Sequence, residues 1–160
     1  MGARHGIHVK RRGVSGKMRM RDISDKAITE REAVVEGALS LKPSVIKLIK
    51  AKRVPKGDCL AAAEIAGILG AKKASQIIPL CHPIPIDFVG IEFVLGHRKI
   101  RIKTRVKTKA KTGVEMEALA ATVVAALTIY DMCKPLDKNI VISDIKLLRK
   151  SGGKSGLYVR

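Results

Sequence analysis

The sequence predicts one α+β domain with the split βαβ order, a mostly antiparallel sheet that carries its helices on one face. Three observations lead to this fold class. The stretch 111–134 is an apolar rod with the length of a buried helix. Segments 88–95 and 99–108 are separated by three residues, as in a hairpin. Further alternating segments, at 32–41 and 140–148, stand before and after these elements.

The chain begins with a basic tail, which we place at residues 1–20. Residues 1–21 contain seven Lys and Arg side chains, no acidic residue and little to bury. Two interpretations stay open: a solvated tail and an arm that binds nucleic acid. The whole chain holds 32 Lys and Arg against 14 Asp and Glu, a formal net charge of +18, which indicates anionic partners. The remaining residues, 21–160, form the single predicted domain.

The first half of this domain contains one strand and two helices. Residues 32–41 alternate apolar and polar side chains, the period of a strand with one buried face. Pro43 opens a short helix with its apolar residues on one side. Asp58 is a suitable N-cap for a helix over about 59–73. That helix is rich in Ala and Gly, so we expect it to approach a neighbouring element closely.

A proline-rich segment over 77–85 follows. Its three prolines exclude a helix and predict a stiff, extended piece of chain that holds His82 at a fixed angle. A lone histidine is either structural or serves as an acid, a base or a phosphate donor, and both interpretations remain open. Cys81 and Cys133 have no obvious base partner, so we expect neither to be a nucleophile.

The second half contains a hairpin, the long helix and a last strand. The second strand of the hairpin alternates apolar residues with Lys and Arg, which leaves one face basic. That face is either solvated, or it binds anions or another subunit. The loop over 149–156 has the Lys, Ser and Gly composition of a phosphate-binding loop. It lacks the first glycine of a Walker motif, so composition alone is a weak signal.

The long helix carries ionisable side chains at both ends. Thr112 and Glu115 have capping-box spacing. Glu117 lies about 200° around the helix from Glu115, which makes it the better candidate for a ligand contact. Asp131 and Lys134 share a helix face, as an ion pair or as a proton donor and acceptor. Glu117 and Asp131 lie about 21 Å apart, so if both serve one site, different subunits must supply them.

Several classes of protein are excluded or disfavoured. The longest uncharged run has thirteen residues, short of the roughly 20 that a spanning helix needs, and no signal peptide is visible. We therefore expect a soluble, cytoplasmic protein. Its three cysteines form no CxxC pair and are expected to be reduced. No His or Cys pair stands at metal-ligand spacing, so we predict no metal site and no cofactor.

Six strings, in their order along 21–156, resemble the molybdenum cofactor biosynthesis protein C family, and together they are highly specific. They are Asp25-Lys-Ala-Ile-Thr-Glu-Arg-Glu-Ala, Lys56-Gly-Asp, Ile78-Pro-Leu-Cys-His-Pro, Lys111-Thr-Gly-Val-Glu-Met-Glu-Ala-Leu, Ala125-Ala-Leu-Thr-Ile-Tyr-Asp-Met-Cys-Lys and Lys150-Ser-Gly-Gly-Lys-Ser-Gly. The resemblance implies a ferredoxin-like subunit in a homohexamer, a trimer of dimers, with sites shared between subunits. It implies a lyase that converts 3′,8-cyclised dihydro-GTP into cyclic pyranopterin monophosphate and releases pyrophosphate. The expected partner is thus a small triphosphate, with neither membrane nor nucleic acid.

The resemblance also assigns residues by matching motif. Asp131 corresponds to the catalytic acid/base, with Lys134 and Lys56 as the other expected catalytic residues. The expected substrate-binding residues are Leu80, Cys81, His82, Met116, Glu117, Arg31, Lys150 and Lys154. Several cations suit a triphosphate and its pyrophosphate leaving group. Proton transfer between Asp131 and Lys134 suggests a lysine with a lowered pKa.

Two rival functions compete with the lyase. One is a basic module that binds nucleic acid through the tail and the Lys/Arg strand face, with strong salt dependence. The other is a protein that binds the nucleotide without catalysis and therefore releases no pyrophosphate.

Overall fold

The computed structural model describes residues 18–160, in which five strands form one sheet. The elements are β1 (Thr29–Ser40), α1 (Pro43–Lys50), α2 (Cys59–Lys72), α3 (Ala74–Ile77), β2 (Phe88–Leu95), β3 (Lys99–Ala110), α4 (Glu115–Cys133), β4 (Val141–Ser151) and β5 (Tyr158–Val159). The strand order is β2-β3-β1-β4-β5 and every neighbouring pair is antiparallel. The predicted α+β fold, a ferredoxin-like split βαβ with helices on one face, is confirmed.

Strand β1 lies at the centre of the sheet, between β3 and β4. Its Val34 and Ala38 are only 5% and 2% exposed, although they lie on the face opposite to the fully buried Val35 and Leu39. The predicted buried face of β1 is present, but its opposite face is buried in part as well, although Ser40 on that face is exposed. Long side chains of the neighbouring strands, Arg105 and Arg149, lie beside Val34 there, so alternation in the sequence understates the burial.

Strand β3 shows the predicted alternation along its whole length. Ile100, Ile102 and Val106 are fully buried, while each intervening Lys or Arg is exposed. The basic face is partly neutralised by β1, because the Glu32 carboxylate lies 3.7 Å from Arg105 and 3.6 Å from Lys107. Part of the positive charge on this face is therefore paired with a carboxylate of the same chain.

Helix α4 is the core helix. It is long and apolar enough to cross a membrane by length and composition, and half of its most apolar window is buried within the domain. Ala118, Ala121, Ala125 and Ile129 are fully buried and recur every three or four residues along one side. This side packs on the sheet and on α2, as the core helix of a globular domain does.

Helix α2 approaches α4 through two glycines, as its composition predicted. A Cβ added at Gly67 would lie 3.0 Å from the Ala121 carbonyl oxygen and would overlap the Ile91 side chain. A Cβ at Gly70 would lie 2.8 Å from a Val124 methyl group. Both positions therefore need glycine for the close approach of the helices.

We expect Gly67→Val to lower the free energy of unfolding by about 1–3 kcal/mol, since the added side chain must displace backbone and core atoms. Urea denaturation followed by circular dichroism measures the change. Ala61→Val, on the exposed side of the same helix, is the control and should have a much smaller effect. Equal losses in the two variants would contradict close packing at Gly67.

The element boundaries differ from the predictions at several ends. Asp58 caps α2 as predicted, and its Oδ1 accepts the Ala61 N–H at 3.2 Å. The predicted capping box of α4 is not formed: its N-cap is Val114, and the Glu115 carboxylate instead binds Lys150. Strand β4 continues to Ser151 because residues 149–151, predicted as loop, pair with residues 32–34 of β1. The short β5 was not predicted.

The predicted basic tail lies outside the described residues except for 18–20, which are exposed.

Candidate active site

The candidate site residues divide into two groups at opposite ends of α4. At its C-terminal end lies the aspartate cluster, which consists of Asp131, Lys134 and Lys56. At its N-terminal end lies a cleft with five cationic side chains, which we call the basic cleft and which consists of Arg21, Lys26, Arg31, Lys150 and Lys154.

The aspartate cluster is held by two ion pairs to one carboxylate. Lys56 Nζ lies 2.7 Å from Asp131 Oδ2, and Lys134 Nζ lies 2.7 Å from Oδ1. Lys56 also donates to the Asp131 carbonyl oxygen at 3.1 Å. Lys56 comes from the loop before α2 and Asp131 from the last turn of α4, so the packing of these helices sets the geometry. All three side chains are about half exposed and reachable by a ligand.

Hydrogen bonds from Lys134 and Lys56 lower the pKa of Asp131 to about 2. The same contact with Asp131 raises the pKa of Lys134. The predicted lowered lysine pKa was therefore wrong, because Lys134 is exposed and faces a carboxylate, whereas a lowered value needs burial or a neighbouring cation. In the free protein the cluster is one carboxylate between two ammonium groups, with a surplus positive charge.

The basic cleft is formed by two adjoining cavities of about 200 and 570 Å³. Both are lined by Arg21, Lys26 and Arg31. Lys150 lines the smaller cavity and Lys154 the larger one. The sequence does not predict Arg21 and Lys26 as site residues. The available signal was weak: Lys26 lies within one family-like string, and Arg21 lies at the edge of the resemblance.

Arg31 anchors the glycine-rich loop after β4. Its Nη1 donates to the Gly152 carbonyl oxygen at 3.2 Å and its Nη2 to that of Lys111 at 3.4 Å. Gly152 and Gly153 have φ of 98° and 70°, and a Cβ at Gly153 would overlap the guanidinium. Glycine is required there so that the loop can wrap Arg31. Lys150 is held beside it by an ion pair with Glu115 at 2.9 Å.

The proline-rich segment lies against the start of α4. His82 Nε2 is 2.8 Å from the Arg21 carbonyl oxygen, which places His82 beside the basic cleft. Cys81 Sγ is 3.7 Å from Oε1 of Glu117. Leu80 is exposed, and Met116 is half-buried in the first turn of α4. The predicted substrate-binding residues therefore gather around the N-terminal end of this helix.

Glu117 is the most deeply buried charged side chain of this group, at 3% exposure. Burial raises the pKa of its carboxyl group, and its Oε2 has no hydrogen-bond partner among residues 18–160. Burial, followed by the nearby Glu117, also raises the pKa of Cys81, which agrees with a thiol that is not a nucleophile. A buried carboxyl with a free oxygen can donate to or accept from a ligand.

The raised pKa of Glu117 predicts a pH-dependent stability. The folded protein holds this proton to higher pH than the unfolded chain, so stability falls as pH rises from 4.5 through the raised pKa. We expect Glu117→Gln to remove this decline and to be more stable than the natural protein at pH 8. Urea denaturation from pH 4 to 8 measures the difference. The exposed Glu64→Gln is the control, and a difference for Glu117→Gln that does not change with pH would contradict the assignment.

The two groups cannot meet on one small ligand within a single chain. Glu117 and Asp131 belong to the same uninterrupted helix, fourteen residues and about 21 Å apart. Within residues 18–160, no three His, Cys, Asp or Glu side chains are grouped so as to hold a metal ion.

Comparisons with known proteins agree on one family. A family model described as the MoaC family matches residues 20–153. The chain is 52% identical over 147 residues to a protein of Heliobacterium modesticaldum, covering 91% of this chain and 92% of that protein. It is 54% identical to a protein of Thermoanaerobacter pseudethanolicus, covering 91% and 93%, and 50% identical to one of Dinoroseobacter shibae, covering 89% and 92%. All three relatives are named cyclic pyranopterin monophosphate synthase.

Proposed function

The chain belongs to the MoaC family, and from that premise we propose that it is a cyclic pyranopterin monophosphate synthase of molybdenum cofactor biosynthesis. It is a lyase that converts 3′,8-cyclised dihydro-GTP into cyclic pyranopterin monophosphate and pyrophosphate. The observation that carries this function is the identity of about one half, over nine-tenths of the chain, to proteins of that name. The basic cleft supports it, because its five cations outnumber the three acidic residues that also line it, Asp25, Glu32 and Glu115, and because its larger cavity of about 570 Å³ has the volume of a ligand site.

The basic cleft binds the triphosphate in this proposal. Arg31 is fixed by two backbone carbonyls, so its guanidinium is ordered before the substrate arrives. Lys150 and Lys154 stand on either side of the glycines and bring charge to the phosphate oxygens. When the α-phosphorus is attacked, the same cations stabilise the pyrophosphate that leaves. Arg21 and Lys26 join this set as further binding residues.

The aspartate cluster supplies the proton chemistry. With a pKa of about 2 in the free protein, Asp131 is too weak a base to take a proton near neutral pH. A phosphate oxygen that binds Lys56 or Lys134 withdraws a hydrogen bond from Asp131, which moves its pKa back towards the ordinary value. Substrate binding therefore activates Asp131 as an acid/base, and Lys134, with its raised pKa, remains a cation throughout.

The residues around the start of α4 contact the purine-derived rings. The buried Oε2 of Glu117 has no hydrogen-bond partner among the described residues and is free to bind the rings, while Cys81 Sγ contacts Oε1. His82 borders the same end of the cleft. Leu80 and Met116 supply apolar contacts to the rings.

A complete site joins the aspartate cluster of one subunit to the basic cleft of another. The helical distance of about 21 Å supports this arrangement, because one substrate cannot reach both groups in one chain. Self-association is also supported by Ile65, Leu69 and Leu127, apolar helix residues that are about half exposed or more. The assembly we propose is a homohexamer, a trimer of dimers. The catalytic domain spans 21–160, follows the basic tail 1–20 and works in the cytoplasm.

The direct test is to incubate the purified protein with the cyclised dihydro-GTP and to measure pyrophosphate and the pterin product together. We expect equal amounts of both. Binding of the triphosphate without pyrophosphate release would favour the non-catalytic nucleotide-binding protein instead. Tight, salt-dependent binding of arbitrary duplex DNA without turnover would favour the nucleic-acid module.

A further inference from the structure

Two cysteines that are far apart in the sequence meet in the core. Cys59 is the first residue of α2 and Cys133 the last residue of α4. Their Sγ atoms are 3.9 Å apart across a sequence separation of 74 residues. Both are free thiols and are only 2% and 0% exposed. No other part of the proposed mechanism uses either sulfur.

The pair needs only a small movement to be joined. A disulfide bond is about 2.05 Å long, so the sulfur atoms must approach each other by roughly 1.9 Å. The movement required is a rotation of the two side chains with a small shift of the helix ends, which fray more readily than helix centres. Cys81 does not compete, because it contacts Glu117, sixteen residues and about 24 Å before Cys133 along α4.

We propose that Cys59 and Cys133 form a reversible intramolecular disulfide that ties the start of α2 to the end of α4. With a small disulfide such as oxidised glutathione, one cysteine thiolate attacks a reagent sulfur and releases one glutathione thiol. The second cysteine, as its thiolate, attacks the mixed disulfide and releases the other. In total the protein loses two protons and two electrons, and the reagent gains them as two glutathione thiols.

This bond would restrain the backbone of the aspartate cluster. Lys56 stands three residues before Cys59, and Asp131 stands two residues before Cys133. The crosslink therefore joins the two segments whose side chains form the Lys56–Asp131 ion pair. The bond also closes a long loop, and we expect it to raise Tm by roughly 10 °C. Its effect on catalysis rests on the proposed function, whereas its formation does not.

The test uses the full-length protein and oxidised glutathione at an elevated temperature, because burial makes the thiols slow to react. After denaturation and alkylation, intact mass and non-reducing peptide mapping should show one alkylated cysteine, Cys81, and a crosslink between Cys59 and Cys133. Tm should rise and should fall again with dithiothreitol. Three alkylated cysteines, glutathione adducts alone or a crosslink through Cys81 would each overturn the proposal.

Variants separate the disulfide from the activity. Cys81→Ser should keep the crosslink, while Cys59→Ala and Cys133→Ala should each lose both the crosslink and the rise in Tm. The measurement on the natural chain decides the question even where an alanine variant does not fold. A crosslink in a protein without pyrophosphate release would leave this inference standing and reject the proposed function. Pyrophosphate release in a protein that forms no crosslink would support the proposed function and reject the disulfide.

Discussion

Asp131→Asn is expected to lower kcat for pyrophosphate release by about 10³-fold, within the range that general acid–base catalysis contributes. The amide keeps the size and both contact positions of the carboxyl group, but it cannot accept a proton and it places an NH₂ group against one of the two lysines. Pyrophosphate release measures the effect, and circular dichroism confirms that the fold is intact.

The control for this substitution is Asp144→Asn. Asp144 is also an exposed carboxylate in an ion pair, with Lys99 at 3.0 Å, and hydrogen bonding to Lys99 lowers its pKa. It lies in β4, outside both groups of candidate residues. Activity close to the natural level is expected for Asp144→Asn. Full activity of Asp131→Asn, or an equal loss in both variants, would remove Asp131 from the catalytic role.

Mixing two inactive variants, Asp131→Asn and Glu117→Ala, is expected to restore about a quarter of the natural activity when subunits exchange at equal ratio across a two-fold interface. Half of the interfaces then join different variants. At each of these, one site combines a natural aspartate cluster with a natural Glu117, and the other site carries both defects. Subunit exchange followed by the pyrophosphate assay measures the recovery.

A second mixture is the control for this experiment. Asp131→Asn and Lys134→Ala alter the same cluster, so no interface between them contains a natural aspartate cluster, and no recovery is expected. Native mass spectrometry verifies that subunits have exchanged in both mixtures. The absence of recovery in the first mixture, after verified exchange, would mean that one subunit supplies the whole site.

The features that the sequence determined by itself are those with a short-range physical cause. The prediction that Asp58 caps α2 was right because an N-cap bonds to an amide only three residues away. The distance between Glu117 and Asp131 was predicted correctly because an α-helix rises by the same amount per residue in any protein. The Ala and Gly content of α2 predicted its close approach to a neighbouring element correctly, because a glycine leaves no Cβ atom between the two elements.

Tertiary structure decided the features that depend on long-range partners. Lys56 binds Asp131 across 75 residues, so the second ion pair on this carboxylate forms only because the loop before α2 lies against the end of α4. Glu115 binds Lys150 from β4 instead of capping its own helix, since an ion pair was within reach once the strand extended to Ser151. Cys59 and Cys133 meet because α2 and α4 pack together. Local spacing holds no information about such contacts, because they arise only when distant elements share one core.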